Sequence, residues 1–254
     1  MGILVIQEAR ARGMATVGAV DATDHPELNR TLKERGVSDQ PTRLLGSDNL
    51  SNALQDADVF VSFTTPAAEL VNIPIVANRG IPTVLGTTGF TPEQNRQVIA
   101  TMSGIVPAIF TPNYSIGMNI LFKILETKPF KTFPQGYDFS INEIHHTGKK
   151  DAPSGTAKKL ADIIANIKDY KKFVSERDGF SPRQSEELEV TSLRAGGVPG
   201  IHDVIIAGPH EMLRIEHTAF SRSVFAQGAV VAAEWLSRQK EPKMYSMADV
   251  LGLS

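Results

Sequence analysis

The 254-residue chain contains no cysteine. That excludes a disulfide framework, a thiolate nucleophile and a thiolate metal site, and it agrees with a reducing, cytoplasmic setting. Long hydrophobic runs are missing as well. Nothing approaches the ~18 to 20 consecutive apolar residues of a membrane helix, and the N-terminus lacks the charged, apolar and small-residue segments of a secretion signal in that order. A surplus of either charge is also absent, since 26 basic side chains stand against 28 acidic ones. Neither nucleic acid nor an anionic membrane is therefore the expected partner, and a small molecule is. The 41% hydrophobic content suits a folded protein with a substantial core.

From the start to about Phe110, helical stretches alternate with short apolar, often β-branched runs, the pattern of βα units around a parallel sheet. "TVGAV" ends at Asp21, "ADVFVSF" at Thr64-Thr65-Pro66, "PTVL" at "GTTGF" and "IVPAIF" at "TPNYS". Ligands of open α/β sheets lie outside the carboxyl ends of the strands, so these four polar loops are predicted to line one crevice. "TPEQNRQVIATM" combines Thr91 as cap, Pro92 at the first helical position and Gln94 three residues after the cap, which predicts a helix start. After Asn113 the pattern changes. "IGMNILFKILETK" reads as a helix, and "YDFSINEIHH", "EELEVTSL", "HDVIIA" and "EMLRIEH" read as strands with few helices between them, which predicts a mixed or antiparallel sheet in a second domain. "SGTAKKLADIIANI" is a long helix among these strands, and "FAQGAVVAAEWL" is helical again. The loop from Asp169 to Gln184 is polar.

The densest chemistry lies in "EIHHTGKKDAPSGTA", Glu143 to Ala157. A strand period of two places Tyr137, Phe139, Ile141, Glu143 and His145 on one face, with His146 on the other. Diverging neighbours do not chelate one metal, and no cysteine or third nearby histidine supports zinc, so no metal is expected. Gly148 frees the backbone, Lys149 and Lys150 add charge, and Ser154-Gly155-Thr156 opens a helix whose unpaired N–H groups and dipole favour an anion. A histidine both gives and takes a proton near neutrality. The stretch thus combines a carboxylate seat with a general acid/base, while a solvated loop remains the plain reading of one of the two lysines.

Glu143 to Ala157 closely resembles the most diagnostic motif of the dihydrodipicolinate reductase family, also called 4-hydroxy-tetrahydrodipicolinate reductases. The resemblance continues through "DVFVSFTTP", "GTTGF", "TPNYSIGMN", "RAGGVPGIH" and "HTAFSRSVFAQGA", in order and over nearly the whole chain. It implies an α/β fold: a Rossmann-type nucleotide domain, residues 1–114 and 222–254, with an inserted α+β substrate and tetramerisation domain, residues 115–221, built on a mixed sheet. It implies His145 as catalytic acid/base and Lys149 as second proton donor, with His146, Gly155 and Thr156 holding the carboxylates of a small cyclic dicarboxylate. It also implies dinucleotide contacts at Gly86, Thr87, Thr88, Thr111, Pro112, Asn113 and Tyr114, with Arg222 and Phe225 near the nicotinamide; ordinary helix core is the alternative for Phe225. The implied reaction moves a hydride from NADH or NADPH onto a cyclic imine, followed by protonation to tetrahydrodipicolinate, in a cytoplasmic homotetramer.

Asp21 ends a strand where a Rossmann acid accepts hydrogen bonds from the adenosine ribose; a simple turn is the alternative. Ala22 and Thr65 offer no cation to a 2′-phosphate, which leans toward NADH, although Lys33 or Arg35 remain candidates for that contact. The family begins with a strand and a loop of the form G-x-x-G-x-M-G. "MGILVIQEARARGM" resembles the last two residues of that loop followed by its helix, so the first strand and phosphate loop are expected to be missing, through an incomplete sequence or a real loss. Two other functions remain open: another Rossmann-type amino-acid dehydrogenase, and a dicarboxylate-binding relative that has lost dinucleotide binding and catalysis.

Overall fold

Capped helices and short β-branched runs follow one another through the first half of the chain. The computed structural model describes residues 1–253, and the chain falls into two units, Met1–Ser115 with the segment from Ser223 onward, and Ile116–Arg222. The first unit opens with helix α1 (Gly2–Ala11), strands β1 (Ala19–Asp21) and β2 (Leu44–Gly46) and the short helix α2 (Leu50–Ala53). Strand β3 (Phe60–Ser62), helix α3 (Pro66–Asn78), strand β4 (Thr83–Leu85), helix α4 (Pro92–Met102) and strand β5 (Ala108–Phe110) complete its first segment.

Helix α4 starts as its sequence dictates: the Thr91 hydroxyl accepts from the Gln94 N–H, and the Gln94 side chain accepts from the Thr91 N–H. Helix α3 uses the same grammar with Thr65 as cap and Pro66 behind it. Strands β3, β4 and β5 pair in parallel. Strands β1 and β2 form their own parallel pair, and no ladder joins that pair to β3 among the described residues.

The second unit contains helices α5 (Ile116–Glu126) and α6 (Lys128–Lys131), strand β6 (Asp138–His145), helix α7 (Gly155–Lys168) and strands β7 (Lys172–Val174), β8 (Glu187–Arg194), β9 (Ile201–Ala207) and β10 (Met212–Thr218). Its sheet runs β10-β9-β6-β8-β7 and is mixed: β9 is antiparallel to β6 and β10, while β8 is parallel to β6 and β7. Phe139 and Ile141 of β6 point into the core with Leu160 and Ile164 of α7 and Leu125 of α5. Full burial of such a side chain contributes roughly 1.5–3 kcal/mol each, so the alternation of β6 fixes which of its faces turns inward.

Helix α8 (Ser223–Leu236), strand β11 (Met244–Tyr245) and helix α9 (Met247–Val250) belong to the first unit again. Strand β11 extends the parallel sheet beside β5. Ala229, Ala232, Ala233 and Leu236 of α8 pack on Val84 and Ile109, while Ile73, Val98 and Met102 of α3 and α4 form a second core cluster with Leu85 and Ala108. The result is the parallel, Rossmann-like sheet the sequence implied. Strands β2, β7 and β11 were not legible beforehand. They have three, three and two residues, too few for a period to register.

The small residues of α8 have a steric reason. A Cβ at Gly228 would lie 1.7 Å from the carbonyl oxygen of Tyr114, and a backbone carbonyl in a packed layer cannot yield. Gly228→Ala should therefore destabilise the protein by about 1–3 kcal/mol, read as a lowered urea midpoint with an unchanged m-value; an unshifted midpoint would contradict this packing.

Candidate active site

Strand β6 delivers Glu143 and His145, two residues apart, to the same buried side of the sheet. The ladder register sets their neighbours. Glu143 stands opposite Ser192 of β8 and His202 of β9, and His145 stands opposite Arg194 of β8. The Nδ1 atom of His145 contacts Oε2 of Glu143. The other carboxylate oxygen accepts from Arg194 Nη2 at 3.1 Å and from the Ser154 N–H at 3.1 Å. Burial pushes the Glu143 carboxyl up, but the His145 ring, the Ser192 hydroxyl and the Ser154 N–H outweigh it and hold the group well below the usual carboxylate range.

The sequence reading saw the two adjacent histidines and missed the third. His202 is 3% exposed, and its ring meets that of His145 edge-on with centroids 5.1 Å apart. Its Nε2 lies 3.2 Å from the Ser154 hydroxyl that caps α7. Burial, reinforced by the neighbouring His145, pushes the His202 imidazole down to about 3, so it is neutral in the folded protein near pH 7. The alternation of "GIHDVIIA" was the available signal: it puts His202 on the core side with Val204 and Ile206. Glu143, His145 and His202 bring one potential ligand atom each within 4.8 Å of one another, a set that His145 and His146 alone could not form. The Arg194 guanidinium on the same carboxylate places a fixed positive charge against that cluster.

The rest of the motif surrounds this pair. Ser154 caps α7 by accepting from the Ala157 N–H, so Gly155 and Thr156 occupy its first turn, Thr156 buried and Gly155 partly so. Lys149 is tied to Asp151 at 2.7 Å, with Lys150 exposed beside it. His146 follows the last residue of β6 and is half-buried. Arg222, exposed, closes the second unit.

In the first unit the end of β1, the loops after β4 and β5, and helix α8 carry the other predicted residues. Asp21 is exposed, and its Oδ1 accepts from the Ala22 N–H at 2.8 Å. Thr88 and Pro112 are exposed, whereas Thr111, Asn113 and Tyr114 are buried. The Tyr114 hydroxyl donates to the carbonyls of Leu85 and Ile109 at 3.0 and 2.9 Å, and burial pushes it well above the ordinary phenol range. At Gly86 a Cβ would lie 2.1 Å from the Phe63 ring, so packing alone requires glycine there. Phe225 is half-buried on α8.

Glu69 was not anticipated. It is fully buried in the first turn of α3, and its Oε1 accepts from Ser62, Thr64 and Thr87 at 2.6, 2.5 and 2.7 Å. Thr87 also accepts from the Thr64 N–H at 2.8 Å. Its hydroxyl thus ties the loop after β4 to the loop after β3.

His202 yields a pH-dependent consequence. The unfolded chain takes a proton on this histidine below its ordinary value near 6.5, whereas the folded protein resists until about 3. The unfolded state therefore binds more protons within that window, and stability must fall as pH falls from about 6.5. Thermal midpoints of the protein should drop through this range, and His202→Asn should flatten the upper part of the drop; an identical slope in the variant would exclude His202 as its source.

Comparison with known proteins identifies the family of the chain. The sequence profile described as "Dihydrodipicolinate reductase, N-terminus" matches residues 1–114, and the one described as "Dihydrodipicolinate reductase, C-terminus" matches residues 117–251. The 4-hydroxy-tetrahydrodipicolinate reductase of Methanosarcina barkeri is 43% identical over 262 residues, covering 100% of this chain and 95% of the relative. The enzyme of that name from Archaeoglobus fulgidus is 39% identical over 255 residues, covering 99% and 95%. Among solved structures, a dipicolinate-bound dihydrodipicolinate reductase from Paenisporosarcina sp. TG-14 shares the fold with a TM-score of 0.69 at 22% identity, covering 98% of this chain and 95% of that one. Across both of its units, the chain belongs to the dihydrodipicolinate reductase family, a family of NAD(P)H-dependent oxidoreductases.

Proposed function

We propose that this protein reduces dihydrodipicolinate, formed from 4-hydroxy-tetrahydrodipicolinate, to tetrahydrodipicolinate in the biosynthesis of diaminopimelate and lysine. The observation that carries this reading is the buried Glu143–His145 contact beside the capped start of α7, within a chain that matches the reductase family from end to end. In the reaction the substrate gains a hydride and a proton, and NAD(P)H leaves as NAD(P)+.

His145 is the acid/base that delivers the proton, and Lys149 is the second donor. His146, with Gly155 and Thr156 in the first turn of α7, receives the substrate carboxylates, where N–H groups and the helix dipole favour negative charge. A bound reduced nicotinamide supplies the hydride. The loops at Asp21, Gly86 to Thr88 and Thr111 to Tyr114 hold the dinucleotide, with Arg222 and Phe225 toward its nicotinamide. They fit that role in a specific way. The hydroxyl of Thr87 is committed to Glu69 and that of Tyr114 to main-chain carbonyls, so both positions offer main chain rather than side chain.

NADH is the preferred cofactor. Ala22 and Thr65 carry no charge, and Arg35 is folded onto Glu27 at 3.0 Å with only 8% of its side chain exposed, which withdraws it from a 2′-phosphate. A cytoplasmic homotetramer is the supported assembly. Helices α5 and α7 cover one side of the mixed sheet, and the opposite side presents Leu193 and Met212, 52% and 63% exposed.

Steady-state kinetics test the reading. His145→Gln should lower kcat by about 100-fold or more and leave the KM for NADH nearly unchanged; an unaltered kcat would remove His145 from the mechanism. Pyridine-2,6-dicarboxylate should compete with substrate, and dicarboxylate binding without NADH binding would favour a non-catalytic relative. The ratio kcat/KM should be higher for NADH than for NADPH, and a strong NADPH preference would overturn the cofactor assignment.

A further inference from the structure

We propose that Glu143 is a positioning residue for His145: its carboxylate accepts the Nδ1 proton of the imidazole, fixes the tautomer and ring orientation, and leaves Nε2 as the atom that exchanges a proton with substrate. The proposal rests on the reading of His145 as the acid/base.

Four observations converge on it. Oε2 of Glu143 and Nδ1 of His145 are in contact and both are buried, and among the described residues Nδ1 has no other hydrogen-bond partner. Two polar atoms enclosed together in this way satisfy each other only when one carries a proton, because an unpaired buried polar atom retains its full desolvation cost. The second oxygen of Glu143 is held by Arg194 and the Ser154 N–H, which fixes the carboxylate plane before substrate arrives. Arg194 Nη2 also donates to the Asp151 carbonyl at 2.6 Å, so one guanidinium ties the carboxylate to the loop that carries Lys149. Finally, a Cβ at residue 200 would lie 3.1 Å from His145 Nε2. Glycine keeps the flank of that nitrogen uncovered.

His202 cannot take over the task, because its contact with the cap residue is through Nε2 to Ser154 and its Nδ1 has no hydrogen-bond partner among the described residues. A purely structural purpose for Glu143 is also a poor account, since a buried charged pair is often no better for stability than apolar residues of the same volume. The proton balance is simple. His145 as imidazolium gives its Nε2 proton to the reduced substrate and becomes neutral with Nδ1–H retained. Glu143 stays ionised throughout and stabilises the charged ring before transfer, and solvent restores the proton afterwards.

The test combines Glu143→Gln and Glu143→Asp with NMR of histidine labelled with 15N in the ring. The chain has six histidines, and comparison with His145→Gln assigns the His145 signals. Neutral His145 should carry its proton on Nδ1 in the parent protein, and Glu143→Gln should shift it toward the Nε2–H form. The same variant should lose on the order of 10²–10⁴-fold in kcat while the KM for NADH holds, and Glu143→Asp, which keeps a carboxylate on a shorter arm, should lie between on both readouts. An unchanged tautomer in a folded Glu143→Gln, or an unchanged kcat, overturns the proposal. If Glu143→Gln does not fold, Glu143→Asp decides by the same two measurements. Full activity in His145→Gln together with the tautomer shift would instead locate the failure in the acid/base role.

Discussion

A buried carboxylate in the middle of a β-strand is the constraint around which the second unit is organised. Glu143 has no exposure at all, and an isolated charge there would be prohibitively costly. It is tolerated because groups from four separate segments meet it: His145 on its own strand, Ser192 and Arg194 on β8, the ring of His202 across on β9, and the N–H of the Ser154 cap. Each of these residues is held in turn by secondary structure. The order of strands, the cap of α7 and the course of the loop between them are therefore tied to one side chain, and the reactive histidine is among the groups it fixes.

The first unit repeats the device with different chemistry. Glu69 gathers three hydroxyls, from the end of β3, the loop after it and the loop after β4, onto a single oxygen. Loops at the carboxyl ends of strands are ordinarily the most mobile part of an α/β sheet. Three short hydrogen bonds to one buried acceptor link two of them from beneath. Tyr114 does comparable work after β5, with its ring against Phe63 and its hydroxyl on two carbonyls. At Thr87 and Tyr114, then, the side-chain hydroxyls are spent inside the fold.

Much of this was legible in the sequence, and the boundary between legible and hidden is physical. The inward face of β6, the capping box of α4 and the start of α7 follow from local rules, because a period of two, a Thr-Pro pair and a Ser-Gly-Thr run act within a few residues of themselves. The parallel sheet and the mixed sheet also followed from the change in pattern after Asn113. His202 and Glu69 were hidden for the opposite reason. One is 57 residues from His145, the other 18 from Thr87, and only strand register and loop packing make them neighbours. The reading of His145 and His146 as diverging neighbours considered adjacent residues alone and did not reach the cross-strand trio.

The placement of Glu143 opposite His202, with Ser192 on the other side, has a consequence for how such a site tolerates change. Its residues are aligned by hydrogen-bonded rows rather than by the lengths of the connections between strands. A change in length is absorbed best in an exposed stretch of connection such as residues 178–180, whereas the tight turn 208–211 itself sets the register of β9 against β10. A single residue inserted or deleted within β6, β8 or β9 is another matter, because it would turn every following side chain to the opposite side of the sheet. Sequence drift in this unit is thus permissive in its loops and almost digital in its strands.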